Sequence, residues 1–146
     1  MSDSRKSALI AEDDAALRRM MVTLLRPLDL RIDEASDGLE AVQRLRERPY
    51  DVVILDLMMP HSDGYDVIRY MEEKQPGSRA IVTSAARRED LRDIARSNVV
   101  GGVLSKPFDI TTFANRVGEC ITSARRRPSA SATEDDSDAL AATRPS

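Results

Sequence analysis

The sequence predicts an α/β fold, one doubly wound parallel sheet of five strands with five helices. Three observations carry that expectation. Short apolar runs alternate with segments of helical period, strand then helix, five times before the composition changes near Ala124. Val52-Val53-Ile54-Leu55 contains no polar residue, as a strand buried on both faces requires. Strand–helix alternation also implies parallel strands joined by right-handed crossovers.

The elements follow in order. Ala8-Leu9-Ile10-Ala11 stops at three acids and reads as a buried strand. Leu17, Met20, Met21, Leu24, Leu25 and Leu28 recur at helical spacing, and Pro27 marks that helix's end. Arg31 to Ala35 reads as a second, weaker strand. Asp37-Gly38 opens a helix carrying Leu39, Val42 and Leu45, with Pro49 beyond it. After the third strand at 52–55, Val67, Ile68 and Met71 form one face of a helix that ends before Pro76-Gly77. Ala80-Ile81-Val82 is the fourth strand. Leu91, Ile94 and Ala95 mark the fourth helix, and Gly102-Val103-Leu104 a short fifth strand. The last helix runs from about Ile110 to Ser123, with Phe113, Val117 and Ile121 inward. Residues 5–124 thus form one domain. Residues 125–146 open with Arg125-Arg126-Arg127-Pro128 and hold one large apolar residue, Leu140, so they read as a disordered tail or linker. No internal repeat is present.

Composition excludes several function classes. The chain has 146 residues, 41% hydrophobic and 32% charged, which is globular rather than disordered. No apolar run approaches the roughly 20 residues that span a bilayer. No apolar region of signal-peptide length follows Met1–Ser7, so a cytoplasmic location is expected. Cys120 is the only cysteine, which removes internal disulfides and thiolate metal sites. The net charge of −3 argues against direct nucleic-acid binding. One His and no Trp leave little for a His-based triad or a zinc cluster.

Doubly wound sheets bind ligands outside the carboxyl ends of their strands. Those ends carry Glu12 and Asp13, Asp56, Thr83 and Lys106. Alone, Glu12-Asp13-Asp14 is an ordinary solvated loop, and Asp14 suits a helix N-cap. Three carboxylates in one crevice would repel unless a cation neutralised them, and oxygen-only ligands suit Mg²⁺. Asp56 follows four buried apolar residues and reads either as a loop anchor or as a nucleophile able to hold a phosphoryl group. Phosphoryl transfer needs positioning and positive charge. Mg²⁺ on Asp13 and Asp56, the Lys106 ammonium and the Thr83 hydroxyl would supply them. A cis Lys106–Pro107 bond would aim the lysine.

These residues resemble the receiver domain of two-component response regulators. The resemblance rests on Leu9-Ile10-Ala11-Glu12-Asp13-Asp14, on Asp51 through Asp56 to Pro60 with Asp63-Gly64, on Ile81-Val82-Thr83-Ser84-Ala85, and on Leu104-Ser105-Lys106-Pro107-Phe108. Each segment is weak alone. Their joint order, each at a predicted strand end, is specific. The resemblance implies a flavodoxin-like sheet of order 2-1-3-4-5, like that of chemotaxis receivers. It implies Asp56 as phosphoacceptor, Asp13 as principal Mg²⁺ ligand, Glu12 as a support to the metal, and the backbone carbonyl of Met58 as a further ligand. Thr83 and Lys106 would bind phosphoryl oxygens. The protein would then be a phosphoacceptor rather than an enzyme acting on a separate substrate, assisting its own phosphorylation and slow dephosphorylation. The donor would be a phosphohistidine on a sensor histidine kinase or a phosphotransfer protein.

Two departures stand out. Val103 occupies a place where the family often has Tyr or Phe. Val99 stands where a Gly commonly ends the fourth helix, and Asn98 is expected to take the left-handed cap instead. Met58 and Ala85, two residues after Asp56 and Thr83, cannot orient a water strongly, so a long-lived phosphorylated state is expected. Output is expected through the fourth helix, fifth strand and fifth helix, with Arg87, Arg88, Asp109 and Arg116 contributing and a phosphorylation-dependent homodimer as one form. Alternatives are a phosphate-independent scaffold, or the receiver part of a longer regulator. A flavin carrier fits poorly for want of aromatics and a phosphate loop. An Asp-nucleophile phosphatase fits poorly because Met58 stands where a second carboxylate would be needed. His61 reads as an exposed loop residue and Cys120 as a small buried hydrophobe. Met20, Met21, Met58 and Met59 read as core or crevice lining.

Overall fold

In a computed structural model, which describes residues 5–59 and 64–126, the apolar runs become five parallel strands. They are β1 (Ser7–Ala11), β2 (Arg31–Ala35), β3 (Val52–Asp56), β4 (Arg79–Ser84) and β5 (Val100–Ser105), in the order β2-β1-β3-β4-β5. The helices are α1 (Ala15–Leu25), α2 (Gly38–Glu47), α3 (Gly64–Lys74), α4 (Arg92–Ala95) and α5 (Ile110–Arg126). This is the doubly wound α/β order expected, with the direction of strand succession reversing between β1 and β3. Among the described residues no helix is long and apolar enough to cross a membrane.

Strand alternation sorts the core into two layers. Leu9, Val53, Leu55 and Val82 face α2, α3 and α4, where they meet Leu45, Val67 and Met71. Ala8, Ile10, Ile54 and Ile81 face α1 and α5, where they meet Met21, Leu25, Phe113 and Val117. Phe108 stacks on Phe113 at 5.3 Å between ring centres. Val52 through Leu55 are fully buried, as their composition predicts.

Side-chain caps start α1, α2 and α5. Asp14 Oδ1 accepts the N–H groups of Ala16 (2.9 Å) and Leu17 (3.1 Å), so the third acid of the first run is a cap. Asp37 caps α2 through the Glu40 N–H (2.8 Å), and Glu40 reaches back to the Ser36 N–H (2.8 Å). Asp109 accepts the Thr112 N–H (2.9 Å) at the start of α5. Pro27 lies in a 3₁₀ turn, Arg26–Leu28, closed by Asp29 in the left-handed region at φ 54°.

Several expectations need correction. The fourth helix stands where Leu91, Ile94 and Ala95 place it, but as a 3₁₀ segment, Arg88–Leu91, followed by the single α turn α4. Asn98 takes no left-handed cap, because Asp29 is the only described non-glycine residue at positive φ. Instead Ser97 N–H donates to Ile94 O (3.1 Å) and Val100 N–H to Ser97 O (3.1 Å), and these successive turns bury Val99 without a left-handed residue. Leu39 is 57% exposed and Met20 40%, because Ala41 with Leu45, and Met21 with Leu25, hold the inward faces of α2 and α1. α5 runs past 124 to Arg126, since no Gly or Pro interrupts the helix between Ser123 and Arg126. Most of the predicted tail, like Pro60, His61 and Asp63, lies outside the described residues.

Candidate functional site

Strand ends build one crevice. Past β1, the Glu12 N–H donates to Ala35 O on β2 (3.0 Å), which ties the acidic turn to the sheet. β3 ends in Asp56, and Thr83 lies beside it in register on β4. After β5 the Lys106 N–H donates to Ser84 O (2.7 Å), and the Lys106–Pro107 bond is cis, as expected.

Lys106 Nζ lies 3.0 Å from Glu12 Oε1 and 3.1 Å from Asp56 Oδ2. Both carboxylates are buried. Asp56 Oδ1 accepts the Met58 N–H (3.1 Å), and Glu12 Oε2 accepts the Asp14 N–H (3.1 Å). Asp13 is exposed, yet its carboxylate can lie with those of Glu12 and Asp56 within a 4.8 Å cluster. Burial lifts the Glu12 carboxyl above the ordinary glutamate value, against the lowering pull of the Asp14 N–H and Lys106; the Asp56 charge adds to the rise. Burial alone would lower the Lys106 pKa, but bonding to Glu12 and Asp56 outweighs it and the net shift is upward. One ammonium thus serves two carboxylates.

Three carboxylates against one ammonium leave a formal excess of negative charge. An all-oxygen donor set of this kind, open at Asp13, fits a hard divalent cation better than zinc. Thr83 adds a second group suited to hold a ligand. Its Oγ1 is buried and has no hydrogen-bond partner among the described residues. Such an orphan costs about 1–3 kcal/mol and is rare in native structures.

The six predicted site residues, Glu12, Asp13, Asp56, Met58, Thr83 and Lys106, therefore all stand at these strand ends. Met58 is 69% exposed, at the crevice, and Ala85 is exposed as well. Sequence reasoning passed over Arg18, whose Nη1 donates to the Glu12 carbonyl (2.6 Å) and whose Nε donates to Glu34 Oε1 (2.9 Å). The signal available was its place one helical turn after the cap Asp14.

Away from the crevice, the charged residues expected on the output face are partly engaged. Arg87 pairs with Glu89 (3.6 Å) and Asp90 (3.7 Å), Arg116 pairs with Glu119 (3.6 Å), and Asp109 caps α5. The Arg88 side chain lies outside the described ones. Val103 is half-buried and packs against the apolar layer of α2, α3 and α4. Cys120 is buried, and burial pushes its thiol up to about 11, which suits a small hydrophobe rather than a reactive thiol.

Comparison with known proteins agrees with this geometry. The family model described as "Response regulator receiver domain" matches residues 8–118. The chain is 28% identical over 119 residues to "Response regulator receiver protein CpdR" of Brucella abortus, covering 82% of this chain and 99% of that protein. It is 34% identical over 113 residues to "Chemotaxis protein CheY-3" of Vibrio cholerae, covering 75% of this chain and 86% of that one. The solved receiver domain of the Francisella response regulator 1452 superposes with a TM-score of 0.73 at 25% identity, over 80% of this chain and 97% of the other. A CheY-like receiver from Methanospirillum hungatei gives 0.78 at 15% identity, over 84% and 98%, a likeness of fold alone.

Proposed function

The chain belongs to the response regulator receiver family of two-component systems, and from that membership we propose that Asp56 accepts a phosphoryl group in a Mg²⁺-dependent reaction. The observation that carries this reading is the buried Asp56 carboxylate, bonded to Lys106 at 3.1 Å and set in register with a Thr83 whose hydroxyl lacks a partner among the described residues.

The donor is a phosphohistidine on a sensor histidine kinase or phosphotransfer protein. An Asp56 carboxylate oxygen attacks phosphorus as the phosphorus–nitrogen bond breaks. The electron pair returns to the donor imidazole, and an acyl phosphate remains on Asp56. Glu12, Asp13, Asp56 and the Met58 backbone carbonyl would hold Mg²⁺, which supplies positive charge to the phosphoryl oxygens when bound. Lys106, already within reach of Asp56, moves to one phosphoryl oxygen and the Thr83 hydroxyl donates to another. That contact removes the orphan and gives phosphorylation a route to the segment after β4. Output then passes to a protein partner through α4, β5 and α5, in the cytoplasm, with homodimerisation as one form it takes.

Acetyl phosphate labelling, with Mg²⁺ or with EDTA, tests the acceptor. Wild type should incorporate phosphate only with Mg²⁺, and Asp56→Asn should not incorporate it. If wild type neither incorporates phosphate nor binds beryllofluoride, the fold serves as a phosphate-independent scaffold. Dephosphorylation should be slow, since neither Met58 nor Ala85 can orient a water. Met58→Asn with Ala85→Glu should speed loss of the label several-fold; an unchanged rate counts against this.

A further inference from the structure

The α1 helix leans its side chains back toward its own start, which brings Arg18 over the turn after β1. Its Nη1 donates to the Glu12 carbonyl at 2.6 Å, and its Nε donates to Glu34 Oε1 at 2.9 Å. Only 18% of the Arg18 side chain is exposed. Glu34 is the neighbour of Ala35 on β2, and the Ala35 carbonyl accepts the Glu12 N–H at 3.0 Å. Glu12 is therefore held on both sides from β2. Its N–H is held by strand backbone, and its carbonyl by a strand side chain acting through Arg18.

We infer that Arg18, braced by Glu34, is a positioning residue for the cation site: it fixes the peptide between Glu12 and Asp13 so that both carboxylates meet one ion. This rests on the Mg²⁺ reading above. Two effects of the guanidinium compete. As a charge it repels an incoming cation, so its removal should tighten binding. As a brace it restrains a turn of three successive acids that otherwise spread under mutual repulsion, so its removal should weaken binding. The brace is the larger effect. Glu34 offsets much of the charge, whereas nothing else among the described contacts holds the Glu12 carbonyl. Groups that orient metal ligands from behind cost about 10–100-fold in metal affinity when removed.

The sign of the change decides between the two effects. In calorimetric titration of the full chain with Mg²⁺, Arg18→Ala should bind about 10-fold more weakly. Arg18→Lys should fall between it and wild type, because an ammonium lacks the planar fork that serves both partners. Glu34→Gln, a milder change, should weaken binding a few-fold, and its melting temperature in EDTA should stay close to that of wild type. Arg18→Ala binding Mg²⁺ as tightly as wild type or more tightly, while Asp13→Asn loses binding, would overturn the brace and leave the cation site standing. Absence of Mg²⁺ binding by wild type would overturn both.

Discussion

Thr83 shows how a single residue can be costly for folding yet, on the phosphoacceptor reading proposed above, useful for function. Its hydroxyl is buried without a partner among the described residues, so replacing it with the similarly shaped Val removes a desolvation cost. Thr83→Val should therefore leave stability unchanged or raise it by about 1–2 kcal/mol, read as the urea midpoint. The same variant should lose most of the added stability that beryllofluoride with Mg²⁺ confers on wild type. A clear loss of stability without ligand would mean that the hydroxyl already has a partner. Glu12, Asp13, Asp56, Thr83 and Lys106 were legible from sequence because each stands at the abrupt end of an apolar run. Arg18 was not. An arginine one turn into a helix looks like any solvated cation, and only the approach of β2 makes it a brace.

At the scale of elements, β5 packs against α5 through a glycine. A Cβ on Gly101 would lie 2.6 Å from Cys120 Sγ, and the buried thiol has little room to withdraw. Gly101→Ala should cost about 1–3 kcal/mol by overpacking. Cys120→Ala should recover most of that loss, because the two sites are in contact and a double-mutant cycle reports their coupling. Additive losses would show that the strand, not the thiol, resists the methyl. Strands and most helices followed from hydrophobic period, whose meaning is the same whatever packs against it. The shape of the α4 region did not. Leu91, Ile94 and Val99 are buried, yet the backbone meets that demand with a 3₁₀ segment, one α turn and tight turns, a choice made by tertiary packing. Leu39 and Met20 mislead in the same way, since a period names a stripe without saying which edge of it is covered.

For the molecule as a whole, stability should follow pH through a pair outside the crevice. Tyr50 Oη donates to Asp33 Oδ2 at 2.6 Å, and Arg31 Nη1 donates to the same oxygen at 2.9 Å. Burial would raise the Asp33 pKa, but the bonds from Tyr50 and Arg31 outweigh it and hold the carboxyl below its usual 3.8. Burial first, and then the Asp33 bond, pushes Tyr50 from 10.0 up to about 12. The Asp33 contribution is thus present above the unfolded pKa and lost as pH falls through the folded one. The Tyr50 contribution is present below 10 and lost as pH rises toward about 12. Tyr50→Phe should lower stability at neutral pH by about 1–2 kcal/mol and flatten the alkaline loss, measured as urea midpoints across pH. An alkaline limb identical to wild type would place that loss elsewhere. Sheet order has a consequence of another kind. Lys106 reaches Glu12 across 94 positions of sequence and Asp56 across 50, so no contiguous fragment short of nearly the whole domain holds the three together. During synthesis Asp56 leaves the ribosome long before Lys106 does. A half-made chain thus presents the Asp56 carboxylate without its ammonium, and the three-residue cluster is complete only when the last strand docks.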